Sequence, residues 1–304
     1  MRKLLSAPLF ALLFLFIPSA FSQSDPATAA APSQQEAALT AATEAARKAL
    51  RPGPTDVPLS GQAILRLPAN FGYVPPAEAG QYLEALGNPA SGGVAGLVVP
   101  IENQKGDWFV VVGYMPSGYI KDDDAKEWDA DELLESLRAG TEEDNKQRAQ
   151  MGIPALEIIG WVEPPKYDES TRRLVWSIAA RNQGQSADMD NGINYNTYAL
   201  GREGYFSLNL VTAQSTVMQD KPAVHALLSA LQFDEGKRYT DFNSDTDKVA
   251  EYGLAALVAG AAAKKVGLFA AIAVFLAKFW KLLLIGAVGV GMAGKKWFNK
   301  KDSS

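Results

Sequence analysis

Arg172-Arg173-Leu174-Val175-Trp176-Ser177-Ile178-Ala179-Ala180-Arg181 decides how the middle of this chain folds. Leu174, Trp176, Ile178 and Ala180 recur at every second position, and that period puts all four on one face of an extended strand. Further strand-like runs lie at 156–162 before it and at 195–201 and 206–212 after it. Upstream, 94–101 and 108–115 form a hairpin-like pair around Asn103-Gln104-Lys105-Gly106-Asp107, and 63–67 reads as another strand. Helices fall between these runs. Residues 76–86 form one, stopped by Gly87-Asn88-Pro89. Residues 129–150 form a second, where Asp129 and Glu132 stand at capping-box spacing and Trp128 can staple to Leu133. Residues 222–231 form a third, with Val224, Leu227, Leu228 and Leu231 inward. Long strand runs with helices inserted between hairpins predict an α+β domain, a mainly antiparallel sheet covered by helices.

The two ends read differently. Met1-Arg2-Lys3, an apolar run over 4–17 and Ala20-Phe21-Ser22 describe a secretory signal over 1–22. Residues 23–60 are expected to form a disordered leader, small and polar, with a short Ala-rich helix over 36–50 ended by Arg51-Pro52-Gly53-Pro54. The exported domain is expected over 61–240. A connector and interfacial helix follow over 241–265, then a membrane anchor region over 266–294 and a basic tail over 295–304. Within the anchor the best span is about 275–294, because Lys278 and Lys281 then lie near one interface and the Lys295-Lys296 cluster at the other. A longer tilted span from 266 is the rival. The lysine asymmetry predicts a single-pass protein of the bacterial inner membrane, with the domain in the periplasm and the C-terminus in the cytoplasm. Residues 253–274 would lie on or dip into the outer leaflet. Ala287 and Gly291 stand at the four-residue spacing that lets two helices approach closely, so self-association is an expectation.

The 304-residue chain has no cysteine, which excludes disulfides, thiolate nucleophiles and Cys zinc sites. Between signal and anchor it carries roughly 19 basic against 33 acidic residues. That balance opposes nucleic-acid binding.

Four phrases stand out together. They are Gly118-Tyr119-Ile120-Lys121-Asp122-Asp123-Asp124-Ala125, Asn191-Gly192-Ile193-Asn194-Tyr195-Asn196, Ala199-Leu200-Gly201-Arg202-Glu203-Gly204 and Lys248-Val249-Ala250-Glu251-Tyr252-Gly253-Leu254. With Gly87-Asn88-Pro89, they resemble a bacterial family of membrane-anchored proteins catalogued as a domain of unknown function, number 2167. The similarity runs from about residue 61 into the apolar C-terminal region. The resemblance implies an exported, membrane-anchored bacterial protein with no established activity, and it supplies no catalytic residues.

Candidate chemistry is sparse. Asp122 and Asp124 head the densest acidic patch, but a calcium loop counted from Asp122 has Lys126 at its fifth position. Asp188 and Asp190, with Ser186, come closer and miss the required glycine by one position. Asp241, Asn243, Asp245 and Asp247 fail the same test. No metal is expected, and a solvated turn or helix cap accounts for each cluster. His225 is the only histidine and reads as an ordinary helix residue. No nucleophile elbow, P-loop or dinucleotide fingerprint occurs, so no cofactor is expected. The polar strand is more informative. Asn194, Asn196 and Tyr198 share one face, with Arg202 at the strand end. Tyr119, Arg148, Trp161, Tyr167 and Trp176 complete a groove if the sheet gathers them. A solvated sheet face is the plainer alternative. The sequence therefore favours a binding or interaction domain that recognises another envelope protein or a ligand. The alternative is an envelope hydrolase using carboxylates, with or without a metal.

Overall fold

The structure is a computed structural model that describes residues 34–88, 93–101, 108–150, 152, 154–186 and 188–259, all within the unit Met1–Ala261. In chain order the elements are α1 (Gln34–Ala49), β1 (Arg51–Pro52), β2 (Thr55–Leu59), β3 (Ala63–Leu67), β4 (Phe71–Val74), α2 (Pro76–Ala85), β5 (Val94–Pro100), β6 (Phe109–Met115), α3 (Ala130–Gln150), β7 (Leu156–Asp168), β8 (Arg173–Asn182), β9 (Gly192–Leu200), β10 (Tyr205–Ala213), α4 (Val217–Ala230), β11 (Leu231–Phe233) and α5 (Ala255–Ala259). Eight strands form one sheet in the order β1-β4-β5-β6-β10-β9-β8-β7, and β11-β3-β2 form a second. Every pairing within the two sheets is antiparallel. The α+β class and the mainly antiparallel sheet with helices are those that the alternation predicts.

Both faces of the large sheet are covered, and this decides the fate of the polar strand. On one face Tyr195, Ala199, Phe206, Leu208, Val110 and Val112 pack with Val224, Leu227 and Leu228 of α4 and with Val57, Leu59, Leu65 and Leu67 of the small sheet. Burying each such aliphatic side chain contributes roughly 1.5–3 kcal/mol. On the other face Ala79 and Leu83 of α2 pack on Leu97, Phe109, Val111 and Val211. Farther along that face α3 lies against β7. Leu174, Trp176, Ile178 and Ala180 stand on this helix-covered side, each no more than 2% exposed.

Three differences from the sequence reading have physical causes. The folded part starts before residue 61, because β1 and β2 precede it and β2 pairs along β3 from Thr55↔Leu67 to Leu59↔Ala63. The prolines in these short runs hide their strand character from periodicity. β7 does not stop at 162 but continues through Pro164-Pro165 to Asp168, with register shifts that absorb the prolines at a sheet edge. α4 begins at Val217 and contains Pro222 one turn in, where the proline removes only the bond back to Met218.

The signal (1–22), the leader up to residue 33, the span at 275–294, Ala287, Gly291 and the tail at 295–304 lie outside the described residues. Among the described residues no helix is long and apolar enough to cross a membrane. The expected interfacial helix over 253–274 needs correction where it is described. Leu254, Leu257, Val258 and Ala259 are 0–6% exposed, and α5 packs on α3. Its apolar start belongs to the protein interior, where it has side chains to cover it.

Candidate functional site

The seam between α3 and the edge strand β7 is held by side chains that grip backbone. Asn145 is 8% exposed. Its Nδ2 donates to the Leu156 carbonyl at 2.8 Å, and its Oδ1 accepts from the Leu156 amide at 2.8 Å. One amide thereby satisfies both main-chain groups of Leu156, on the side of β7 that has no strand neighbour among the described residues. Arg148 Nε donates to the Pro154 carbonyl at 2.8 Å, and Arg138 Nη2 to the Ile159 carbonyl at 3.1 Å. Trp161 Nε1 donates to the Ala130 carbonyl at 3.0 Å, near the start of α3. That start is capped by Asp129, whose Oδ1 accepts from the amides of Asp131 and Glu132. Above the seam a cleft of about 430 Å³ opens, lined by Arg138, Thr141, Glu142, Glu157, Ile159 and Arg181, with Ile158 at its base. Arg181 Nε donates to Glu157 Oε2 at 3.0 Å. Ile159 in its lining is 37% exposed.

The polar strand is not an open face. Asn194, Asn196 and Tyr198 are 4%, 6% and 8% exposed. Asn194 Oδ1 accepts from Asn209 Nδ2 at 3.0 Å, and Asn196 Nδ2 donates to the Asn194 carbonyl at 3.3 Å. Trp176 stands opposite Asn196 in register, fully buried, and its Nε1 has no hydrogen-bond partner. Burial alone pushes the Tyr198 phenol up. The expectation that Asn194, Asn196 and Arg202 form an exposed recognition surface is therefore revised: Asn194 and Asn196 are buried within the sheet, and Arg202 is engaged by Asp247. Asn194→Ala should cost about 1–2 kcal/mol, because it removes a buried amide and takes an acceptor from the half-buried Asn209. A melting temperature within error of wild type would return Asn194 to the surface.

Arg202 ties the domain to its own C-terminal connector. Its guanidinium holds Asp247 through Nε at 2.7 Å and Nη2 at 2.8 Å, and Nη1 reaches the Gly236 carbonyl at 3.2 Å. That guanidinium, with further hydrogen bonds from the Asn243 amide and Thr246, keeps the Asp247 carboxyl far below its usual range. Tyr119 pairs its backbone with Lys248 and Ala250 at 2.8 Å each. Its ring stacks on Phe242 at 3.8 Å. Gly118, at φ +93°, lets the strands meet: a Cβ there would lie 2.5 Å from the Lys248 carbonyl oxygen. Asp124 accepts from the amides of Leu254 and Ala255 at 3.0 Å each, capping α5. Asp122 is a hub. It accepts from Tyr167 at 2.7 Å, from Tyr239 at 3.0 Å and from Arg172. Arg172, at φ 56°, also lies over the Tyr239 ring at 4.9 Å. Partial burial pushes the Asp122 carboxyl up, but the hydrogen bonds from Tyr167 and Tyr239 and the Arg172 charge outweigh it and hold the carboxyl below its ordinary value. Tyr119, Tyr167 and Arg202 thus gather at the connector, apart from Arg148 and Trp161 at the α3 seam, and among the described residues no single groove contains all the candidates.

A fourth cluster escaped the sequence reading. Glu163 on β7 accepts from the Tyr195 hydroxyl at 2.9 Å and pairs with Lys221 of α4. Lys166 stands 3.6 Å away. The Tyr195 oxygen lies 3.1 Å from His225 Nε2. Tyr195 has one proton, given to Glu163, so Nε2 carries the imidazole proton and donates. Burial, then the Lys221 charge, lowers the His225 basicity, Arg173 adds to this, and Glu163 opposes it. No local motif links Glu163, Tyr195 and His225; only the sheet order brings them together. The unfolded chain protonates this histidine near pH 6.5. The folded chain resists protonation, so this term costs no stability above that pH and destabilises as pH falls below it. The depressed carboxyls Asp122, Glu163 and Asp247 contribute stability that is lost only below about pH 4. Melting between about pH 7 and pH 5 should fall in wild type and stay flatter in His225→Gln; parallel curves would remove His225 as the cause.

Asp190 accepts from the Ser215 amide and hydroxyl, and the Asp188 amide donates to Ser186 at 3.4 Å. Among the described residues no group of three or more His, Asp or Glu side chains is placed to hold a metal.

The described residues thus form an α+β sheet domain whose polar residues bind its own elements together, with a charged cleft at the sheet edge. It belongs to the family described as protein of unknown function (DUF2167), whose model matches residues 51–289. A comparison with curated proteins finds no match. Among solved structures, the chain is similar to the solution structure of cyanobacterial PsbP (CyanoP) from Synechocystis sp. PCC 6803, with 13% identity and a TM-score of 0.35, over 61% of this chain and 93% of that one.

Proposed function

We propose that this chain is a membrane-anchored periplasmic binding domain of the bacterial envelope, and that its recognition face is the α3/β7 cleft. The observation that carries the reading is that cleft, about 430 Å³, with charged walls and the exposed Ile159 in its lining. Its volume falls in the range of about 300–1,000 Å³ common to ligand sites. The signal at 1–22, the span at 275–294 and the basic tail support export with the C-terminus inside. Ala287 and Gly291 support self-association within the membrane. The acidic balance disfavours nucleic acid. The hydrolase alternative is weaker, because Asp122, Asp124 and Glu163 are occupied by internal partners.

Two measurements test the reading on the full-length chain. Reporter fusions after residues 236 and 301 should report opposite sides of the inner membrane; the same side for both defeats the single-span topology. A photoreactive residue at position 159 should crosslink an envelope partner that position 218 does not. Met218 is 76% exposed on α4 and serves as the control. Equal yields from both positions defeat the cleft as recognition face.

A further inference from the structure

Resting on that binding reading, we infer that the α3/β7 cleft takes a small zwitterion: a free amino acid or short peptide with both its ammonium and its carboxylate uncapped, and with an aliphatic side chain. Both signs of charge line one cleft. Arg138 and Arg181 supply two guanidiniums, and Glu142 and Glu157 supply two carboxylates. A simple anion meets the two carboxylates, and a simple cation meets the two guanidiniums. A ligand carrying both charges satisfies both pairs. A guanidinium has five N–H donors. The Ile159 carbonyl and Glu157 engage one on each arginine, which holds the forks in place and leaves donors for a carboxylate. Forks that are already held lose less freedom when a ligand binds. Ile159 provides the apolar surface for an aliphatic side chain. Thr141 takes no part, since it is buried and its hydroxyl donates to the Leu137 carbonyl at 2.9 Å.

The probes are leucine, leucyl-leucine, N-acetyl-leucine and leucinamide, titrated into the full-length chain in non-ionic detergent. Calorimetry reads affinity, and amide resonances of Glu157 and Ile159 read location. Leucine or leucyl-leucine should bind at the cleft, and each blocked form should bind about tenfold or more weakly, because one ionised contact is lost. Preference for leucine assigns a free amino acid as the source, and preference for leucyl-leucine a peptide. Glu142→Gln and Arg181→Gln should each weaken binding about tenfold, with the melting temperature of Glu142→Gln unchanged. Blocked forms that bind equally well, or an absence of shifts at Glu157 and Ile159, overturn the inference. A partner crosslinked from position 159 without zwitterion binding removes this ligand class and leaves the recognition face standing. Failure of both removes both.

Discussion

Asn145→Ala should lower the stability of the domain by about 2–4 kcal/mol, because it strips two partners from one buried residue. Leu156 is 1% exposed, and both its amide and its carbonyl end on the Asn145 side chain. Water cannot replace them without opening the seam. Each buried polar group left unmet costs about 1–3 kcal/mol, and here there are two. In a domain of this size the loss should read as about 4–15 °C of melting temperature. Asn145→Asp keeps the acceptor for the Leu156 amide and loses the donor, so it should fall between. The change also loosens the wall that positions Arg138 and Glu142, and cleft binding should weaken with stability. A loss under about 0.5 kcal/mol, the range of ordinary surface changes, would mean that α3 does not clasp the sheet edge.

Asp122→Ala should cost about 2–3 kcal/mol. A surface ion pair contributes up to about 1 kcal/mol, while removing one partner of a buried pair costs about 3–5. Asp122 lies between these limits, with its side chain 16% exposed and that of Arg172 30% exposed. Three donors from β7, the β7–β8 turn and the 3-10 turn at Tyr239–Asp241 lose their common acceptor at once. Asp122→Asn keeps an acceptor without the charge and should recover part of the loss. Because the folded carboxyl is depressed, its contribution is present above about pH 4 and fades as pH falls through the folded value. The difference between wild type and Asp122→Ala should therefore shrink on acidification below pH 4. A gap that stays constant would assign the effect to packing.

The strand at 172–181 and the helix at 129–150 were legible because their signals are local. A side chain every second residue, or an acid three residues from a cap, follows from covalent geometry alone. The seam was legible in part. Arg148 and Trp161 were picked out as recognition residues, and they stand there, but they hold backbone of the protein's own chain. Asn145 gave no signal, since its partner is eleven residues away across a helix end. Asn194 and Asn196 misled for the opposite reason. Polar alternation ordinarily marks a solvated face, and a buried amide pair with its own partners produces the same pattern.

The amino-acid sequence by itself determined the α+β class, the antiparallel sheet, most helices and strands, and the family. These rest on periodicity and short motifs, in which each residue's neighbours along the chain carry the information. The tertiary structure decided which face of β9 is covered, where Asp122 and Arg202 find their partners, and that Glu163, Tyr195 and His225 meet. Those contacts join residues 30 to more than 100 positions apart. They depend on strand order and on which helix packs over which face, and these are set by the burial of the whole core.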